Sequence, residues 1–336
     1  MDSLEELGER KIIELILSCL DPLPKMPIPF GDDVSAIEVG NDKLVVVNTD
    51  MLVGKTDVPP SMSMWQAARK ASIMTISDLA AKGTQPAIIL ASLGLPTHLT
   101  GVDVLQIGKG LNAGAREYNA YVVGGDTNEA EDLIISCVAL GFCQSQHLVK
   151  RDGAQLGDIV AVTGVLGRTS VGLKILLEEL AALEYRDSFV DSVLMPKARV
   201  KEGVALAKSG AATSSIDVSD GLALSLHQLS WASNIGFRLT FLPVAPGVER
   251  FAELHGFDLS DLVLYGGEEY EILATVKPEL WEKAAKAVEA AGGILIKIGV
   301  VTDEKKVLLE MGGKTINVAV KGWQHFKNRL MRDNKG

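Results

Sequence analysis

The sequence predicts an α/β protein of two domains. Its 336 residues exceed the roughly 100 to 200 residues of a usual domain. Runs rich in valine and isoleucine alternate with helical patterns along the chain. The 33 glycines indicate many tight turns between these segments. We expect an N-terminal domain over residues 1–145, built on a mixed sheet with helices, and a C-terminal α/β domain over residues 146–336.

The first elements precede residue 50. Apolar residues at positions 12, 13, 16, 17 and 20 predict an amphipathic helix. Four prolines in "DPLPKMPIPFGDD" then require an extended connector. The valines of "KLVVVN", residues 43–48, predict a buried strand that ends at Asn48, Thr49 and Asp50.

A long helix follows over residues 61–83. Ser61 or Ser63 can cap its start, and Gly83 can end it. Apolar or small residues at 64, 67, 68, 71, 74 and 75 form one face, and Asp78 continues that face. A buried carboxylate is costly unless it is paired, hydrogen-bonded or bound to a cation, so Asp78 is a candidate site residue.

The remaining elements follow the same alternation. We expect strands or helices at residues 86–96, 101–118, 120–127, 133–143, 158–164, 214–218, 236–242, 271–276, 294–301, 306–311 and 315–320. Of these segments only 101–118 is predicted to be a helix, and a glycine-rich loop and a helix follow 158–164.

Composition excludes several function classes. A formal net charge of −10 opposes non-specific binding to nucleic acid or anionic lipid, so an anionic substrate would be met through metal ions. The three cysteines and five histidines do not cluster, which is typical of a reducing cytoplasm without a zinc site. The N-terminus is acidic where a signal peptide needs bases, and the apolar runs are too short to span a bilayer.

The sequence around Gly54-Lys55-Thr56 is not a P-loop. That motif requires a glycine at position 49, where Thr49 stands. A second candidate, at Gly313-Lys314-Thr315, fails in the same way because position 308 is leucine.

Aspartates recur after β-like runs instead. Asp32 and Asp33, Asp50, Asp126, and Asp217 with Asp220 occupy such positions. The carboxyl ends of strands open into ligand-binding crevices, and carboxylates are the ligands that Mg²⁺ prefers. A single aspartate at a turn is more often a cap, and Asp32 and Asp158 also fit that role.

Two further motifs allow more than one interpretation. In "YGGEEYEI", three carboxylates around an aromatic residue are costly unless positive charge lies nearby. The loop "TGVLGRTSVGL" is either a phosphate-binding loop at a helix N-terminus or only a flexible helix start.

The order of the motifs is specific. GDD, NTD, SDLAAKG, VGGDT, GDxxAVTGxLG, IDVSDGL, GGEEYEI and KGWQHF follow one another from residue 31 to residue 326. This arrangement resembles the thiamine-monophosphate kinase family, in the superfamily of aminoimidazole ribonucleotide synthetase and selenophosphate synthetase. The resemblance implies a cytoplasmic homodimer that joins the N-terminal sheets of two subunits, with ATP in a cleft between the domains near the dimer interface.

The implied reaction is transfer of the γ-phosphoryl group of ATP to thiamine monophosphate, in line and assisted by several Mg²⁺ ions, in thiamine diphosphate biosynthesis. The acceptor phosphate is largely ionised at neutral pH, so no nucleophile or general base is required. ATP and thiamine monophosphate are the implied ligands.

The site residues implied by the resemblance fall into three sets. The metal ligands are Asp33, Asn48, Thr49, Asp50, Asp78, Asp126, Asp217 and Asp220; the ATP contacts are Gly125, Asp126, Arg151 and Ser219; the substrate contacts are Asp57, Glu268 and Trp323. A guanidinium suits phosphate, a carboxylate suits a cationic thiazolium, and an aromatic ring can stack on a heterocycle, although Trp323 can equally pack a C-terminal helix. Relatives often have histidine near Asp57, Ser or Thr at Asn48 and aspartate at Glu269.

Other functions remain open. Aminoimidazole ribonucleotide synthetase would also use ATP and Mg²⁺. Selenophosphate synthetase would need a reactive cysteine near the N-terminal glycines, and a hydrogenase-maturation relative would need a C-terminal cysteine, and neither is present. A non-catalytic regulator that binds metal or nucleotide is the alternative of another class.

Overall fold

The structure, a computed structural model, describes residues 3–326. The helices are α1 (Leu4–Leu17), α2 (Gly54–Asp57), α3 (Met64–Ala81), α4 (Gly101–Glu117), α5 (Arg168–Glu178), α6 (Arg186–Leu194), α7 (Val200–Lys208), α8 (Leu222–Ser233), α9 (Val248–His255), α10 (Leu259–Leu264) and α11 (Trp281–Ala290). The strands are β1 (Ser35–Glu38), β2 (Lys43–Val53), β3 (Gln85–Leu95), β4 (Tyr121–Glu129), β5 (Ile134–Gln144), β6 (Ile159–Val162), β7 (Ala212–Asp217), β8 (Gly236–Leu239), β9 (Ile272–Val276), β10 (Ile296–Thr302), β11 (Val307–Met311) and β12 (Lys314–Asn317).

These strands form two mixed sheets. The first has five strands in the order β1-β2-β5-β3-β4, and the second has seven in the order β12-β11-β8-β10-β6-β9-β7. Each sheet contains one parallel pair, β3 with β4 and β8 with β11. The α/β fold class is therefore confirmed. The first sheet ends at residue 144 and the second begins at residue 159, so the predicted boundary near residue 145 lies in the segment between them.

Helix α3 lies at the centre of the molecule. Ser63 caps it, with a reciprocal bond from Gln66, and Gly83 follows its end with a positive φ of 71°. Within one buried cluster, Ile76 of α3 packs with residues of both sheets, including Ile135 and Ile272. Each such side chain contributes about 1.5–3 kcal/mol on burial. The core is thus continuous from the first sheet to the second through α3.

Strand β2 is longer than the sequence predicts. The prediction ended it near Asn48, but its ladder with β5 continues until Val53 pairs with Ile134. Asn48, Thr49 and Asp50 are therefore in mid-strand, and their side chains alternate between the two faces of the sheet. The last predicted strand, 315–320, is likewise shifted to β12.

The predicted N-terminal helix is present as α1, but its apolar stripe is not covered. Ile13 and Ile16 are 47% and 57% exposed. Its contacts are polar or aromatic instead: the Arg10 guanidinium lies 4.5 Å from the centre of the Trp231 ring, and Glu9 accepts a hydrogen bond of 3.0 Å from the His325 amide. Within residues 3–326, no helix combines the length and the apolar character needed to cross a bilayer.

Candidate active site

Carboxylates predicted from distant parts of the sequence meet beside α3. Asp33 precedes β1, Asp78 lies in the last turns of α3, and Asp217 ends β7. Each of the three has a carboxylate oxygen within 4.8 Å of the others. Ser77 and Ser219 donate hydrogen bonds of 2.6 and 2.9 Å to the two oxygens of Asp217 and fix its orientation. The cluster joins the first sheet, the second sheet and the helix between them.

Several carboxyl groups in and beside this cluster have raised pKa values. Burial raises the pKa of Asp50 to about 7, and the charge of Asp217 adds to this effect. Burial and the charge of Asp33 raise the pKa of Asp217 to about 6, although its two serine donors oppose the rise. Negative charge is crowded here, so a bound cation would be attracted strongly.

The same effects act on two further carboxyl groups. Burial, followed by the charges of Asp217 and Asp50, holds the pKa of Asp78 well above its usual range. The pKa of Asp220 rises to about 7, again chiefly because of burial. None of these four aspartates forms an ion pair with a residue of the described part of the chain.

Asp33 has the opposite environment. The Lys82 ammonium lies 2.7 Å from Asp32 and 2.6 Å from Asp33, and it also donates a bond of 2.6 Å to the Ser215 carbonyl. The Arg151 guanidinium contacts Asp33 from the other side, with Nε at 3.0 Å. Burial acts to raise the pKa of Asp33, but the two cations outweigh it and the pKa is lowered. Asp32 is bound within this ionic network.

The oxygen atoms of the cluster fit a divalent cation. Asn48 donates a bond of 2.7 Å from Nδ2 to Asp78, while its Oδ1 is buried without a hydrogen-bond partner. A buried acceptor of this kind is costly, and a cation would satisfy it. Carboxylate and amide oxygens are hard donors suited to Mg²⁺, so the residues present fit the predicted metal.

Thr49 and Asp126 are not brought to this cluster. Through the ladders, Asp50 is level with Cys137, Ala91 and Gly125, whereas Asp126 is one residue further along β4. Strand alternation therefore places Asp126 on the opposite face of the first sheet, and Thr49 lies on that face too. Both residues are exposed. We call this surface the open face, because α3 and α4 pack on the other side of the sheet.

The predicted ATP contacts have structural partners of their own. Arg151 directs its guanidinium at Asp33 and at the Gly31 carbonyl, which accepts at 2.8 Å, and Ser219 is bonded to Asp217. A Cβ at Gly125 would lie 1.8 Å from the Ala91 carbonyl oxygen, so the approach of β4 to β3 requires glycine there. Their nucleotide roles stay predictions.

Two of the predicted substrate contacts converge on a residue that sequence reasoning missed. Lys70 of α3 is 1% exposed, and its ammonium forms an ion pair with Glu268. The same ammonium donates a bond of 2.9 Å to the Asp57 carbonyl. Lys70 is thus one of the positive charges that the crowded carboxylates of "YGGEEYEI" required, and Arg199, which pairs with Glu271, is another.

Trp323 lies on the same side as the carboxylate cluster. Its amide donates a bond of 3.0 Å to the Asp220 carbonyl, and a Cβ at Gly267 would lie 3.6 Å from its own Cβ. Trp323 is 37% exposed. It therefore stands at the surface beside Glu268 and is not packed in the core within a C-terminal helix.

The loop before α5 binds a carboxylate of this chain. Glu269 Oε1 accepts hydrogen bonds of 2.6 and 3.2 Å from the amides of Gly167 and Thr169. Burial raises the pKa of Glu269 to about 7, against the effect of these bonds. The amides that could bind a phosphate are thus already bonded to Glu269. This favours the second interpretation of "TGVLGRTSVGL", in which the loop is only the start of a helix.

Lys82 was missed together with Lys70. Both are fully buried residues of the α3 region, at its middle and just after its end. The cost of burying a charge, which singled out Asp78 in the sequence, applies equally to lysines inside an apolar helical pattern. That signal could have identified both.

The chain is similar to proteins of one family over nearly its whole length. Residues 31–143 match the family described as AIR synthase related protein, N-terminal domain. The thiamine-monophosphate kinase of Nitrosopumilus maritimus (strain SCM1) is 32% identical over 96% of this chain and 100% of its own length. The thiamine-monophosphate kinase of Pyrococcus abyssi is 36% identical over 88% of this chain and 90% of its own length.

Solved structures agree with the sequence comparison. The structure "AaThiL complexed with AMPPCP and TMP" has a TM-score of 0.84 and 30% identity, and the match covers 97% of this chain and 99% of that one. The hydrogenase maturation protein HypE has a TM-score of 0.70 at 17% identity, which shows a common fold only.

Proposed function

From the premise that the chain belongs to the thiamine-monophosphate kinase family, we propose that it phosphorylates thiamine monophosphate with ATP. The products are thiamine diphosphate and ADP. The relative whose structure contains AMPPCP and TMP supports both ligands, because its similarity extends over 97% of this chain. The reaction is a direct, in-line transfer of the γ-phosphoryl group.

The observation that carries this proposal is the group of Asp50, Asp78 and Asp217, of which Asp78 and Asp217 belong to the cluster with Asp33. Three buried carboxyl groups with raised pKa values are a cost to folding, and that cost is typical of a functional site. Two reacting phosphates would add more negative charge to the same cleft. These carboxylates and Asn48 would hold Mg²⁺, which would supply charge neutralisation and alignment for the transfer.

The protein's own residues have a different task. The acceptor phosphate has a second pKa of about 6 and needs no strong general base. Ser77, Ser219 and Asn48 orient the carboxylates by hydrogen bonds, so the site is organised before the ligands bind. The backbone bonds of Glu268 to Ser219 and of Trp323 to Asp220 keep both residues near the cluster, which supports a role for them in holding the thiamine moiety.

An assay of both products tests the function. Purified protein, ATP, Mg²⁺ and thiamine monophosphate are expected to give ADP and thiamine diphosphate in equal amounts. ATP without acceptor, and acceptor without Mg²⁺, serve as controls. Absence of thiamine diphosphate in the complete mixture would reject the proposal, and product with aminoimidazole ribonucleotide synthetase substrates would identify the alternative enzyme.

We also propose that the open face of the first sheet joins a second copy of the chain. This face exposes apolar side chains: Ile37 48%, Met51 53%, Leu90 39%, Tyr121 57% and Phe142 56%. An exposed apolar patch of this kind marks an interface. A homodimer in light scattering, converted to monomer by Phe142→Asp, would support the proposal, and a monomeric wild-type protein would reject it.

A further inference from the structure

The ion pair between Lys70 and Glu268 has an unusual position. Lys70 belongs to α3, and Glu268 belongs to the loop before β9, so the pair bridges the two halves of the chain. Lys70 is fully buried, whereas the Glu268 side chain is 24% exposed. Glu268 therefore covers the lysine and is itself accessible to a ligand.

The pair also borders the carboxylate cluster. The Glu268 amide donates to the Ser219 carbonyl at 2.5 Å, and Ser219 holds Asp217. Burial holds the pKa of Tyr270 well above its usual range, and the charges of Glu268 and Asp50 contribute to this shift. Glu268 thus lies in the same electrostatic environment as the carboxylates that the transferred phosphoryl group must approach.

Opening the pair has consequences for both partners. A buried charge that loses its partner is strongly destabilising, whereas an exchange of one partner for another is not. A ligand with only a positive charge could bind Glu268 but would leave Lys70 unpaired. A ligand with only a negative charge would do the reverse.

We propose that the Lys70–Glu268 pair determines acceptor specificity by exchanging partners with an acceptor that carries both charges. The phosphate of the acceptor binds the Lys70 ammonium, and its thiazolium binds Glu268. This inference rests on the proposed function, since thiamine monophosphate carries an anion and a cation in one molecule. It adds an anion-binding role for Lys70 and predicts that unphosphorylated thiamine binds more weakly than thiamine monophosphate.

Binding of two ligands to two variants tests the exchange. Calorimetry would give the Kd of thiamine monophosphate and of thiamine for the wild type, Lys70→Met and Glu268→Gln. In Lys70→Met, thiamine monophosphate is expected to bind at least about tenfold more weakly, because its phosphate loses a charged partner. Thiamine is expected to bind equally well or better, because its thiazolium can bind Glu268 without breaking an ion pair with Lys70.

The second variant should leave the selectivity between the two ligands unchanged. In Glu268→Gln, the thiazolium loses its partner, so both ligands weaken and the preference for thiamine monophosphate is kept. The KM for thiamine monophosphate should rise more than the KM for ATP. If Lys70 has only a structural role, Lys70→Met weakens both ligands by the same factor, and that result would overturn the proposal.

A neighbouring ion pair provides the control. Arg69 precedes Lys70 on α3, is 2% exposed and pairs with Glu117 at 2.6 Å. Arg69→Met removes a buried cation from the same helix and should leave the ratio of the two Kd values unchanged. Lys70→Arg keeps the charge and should restore most of the preference for the phosphorylated ligand.

The outcomes separate this inference from the proposed function. If the wild type forms thiamine diphosphate but Lys70→Met keeps the wild-type ratio of Kd values, the partner exchange is wrong and the kinase function stands. If the wild type forms no thiamine diphosphate and does not bind thiamine monophosphate, the proposed function fails first.

Discussion

Two groups of carboxylates share one cleft but have opposite environments. Asp32 and Asp33, the paired carboxylates, are bound by Lys82 and Arg151. Asp50, Asp78, Asp217 and Asp220, the unpaired carboxylates, form no ion pair within residues 3–326. The pKa of Asp33 is lowered, whereas those of Asp50, Asp217 and Asp220 rise to about 7, 6 and 7.

The difference shows what the protein supplies and what it leaves to its ligands. Burial alone does not decide the charge of an aspartate, because Asp33 is at least as buried as Asp50. The presence of a side-chain cation decides it. Lys82 and Arg151 neutralise Asp32 and Asp33 and so stabilise the fold. The unpaired carboxylates have no such side-chain cation, so a cation from solution must complete the site.

Removing an unpaired carboxylate should have the largest effect. Asp50→Asn is expected to lower kcat by about 10²-fold or more, because the reacting phosphates lose a charged metal ligand. The metal-free variant should at the same time be more stable at pH 8 by about 1–2 kcal/mol, since a repelled buried charge is removed. Steady-state kinetics and urea unfolding measure the two changes.

Asp126→Asn is the matched comparison. Asp126 is exposed on the open face, so Asp126→Asn removes no buried charge and should bring no gain in stability. The metal role that the family resemblance implies for Asp126 predicts a loss of turnover in this variant as well. Full activity in both variants would show that the metal ligands are misassigned. A stability gain in Asp126→Asn as large as in Asp50→Asn would contradict the electrostatic difference between the two positions.

Removing a cation from the paired group should cause a large loss of folding stability. Lys82→Met leaves Asp32 and Asp33 buried with Arg151 alone, and loss of one partner in a buried pair costs about 3 kcal/mol. The variant should unfold at lower urea concentration, and Mg²⁺ should recover more stability in it than in the wild type. An unchanged unfolding midpoint would show that Lys82 does not stabilise Asp32 and Asp33.

The two groups of carboxylates should also differ in how their contribution to stability depends on pH, although this effect is smaller. A carboxyl group with a raised folded pKa contributes stability that is complete below the unfolded value and is lost as pH rises through the folded value. For Asp50, Asp217 and Asp220 this loss falls between about pH 4 and pH 6 to 7. The lowered pKa of Asp33 acts in the opposite sense, because its contribution is lost only in acid.

Mg²⁺ should replace the missing protons at high pH. The Tm increase on adding Mg²⁺ is expected to be larger at pH 8 than at pH 5 by about 3 °C or more. Asp217→Asn should reduce this difference. Equal Tm increases at the two pH values in the wild type would mean that protons and metal do not compete for these carboxylates.

The smallest effect is expected at Glu269, a buried carboxylate with neither a cation nor a metal role. Gln at position 269 can still accept from the amides of Gly167 and Thr169, so the stability of Glu269→Gln should differ by less than about 1 kcal/mol at pH 6. The raised pKa means that wild type loses stability as pH rises through about 7, and the variant does not. Its relative stability should therefore increase from pH 6 to pH 8.5.

Glu269→Ala provides the contrast to Glu269→Gln. It removes the acceptor and should cost about 1 kcal/mol or more at both pH values. Thermal unfolding across this pH range measures the two variants. An identical pH profile for wild type and Glu269→Gln would show that Glu269 does not titrate there.

Local patterns predicted most of the fold because they are fixed by local physics. The cap at Ser63, the stop at Gly83 and the apolar face of α3 are all encoded within that helix. The end of β2 was not, because the ladder from Asn48 to Val53 depends on a strand more than 80 residues away. Pairing partners of that kind cannot be read from one segment.

The candidate site divides in the same way. Asp78 could be predicted because a carboxylate contradicts its own helical pattern. The partners of Asp33 and Glu268 could not, since Lys82 and Lys70 reach them only after α3 packs between the sheets. The separation of Asp126 from Asp50 depends on the register of three ladders that join four strands, which the motifs do not specify.

Helix α3 also fixes the distance between two parts of the site. Lys70 contacts the region proposed for the acceptor, and Asp78 and Lys82 contact the carboxylate groups. Twelve residues at about 1.5 Å each separate the two lysines by roughly 18 Å, and each added residue would turn one end by about 100° relative to the other. Surface loops can therefore tolerate insertions. One residue inserted between Lys70 and Asp78 would instead rotate one of these side chains away from the cleft.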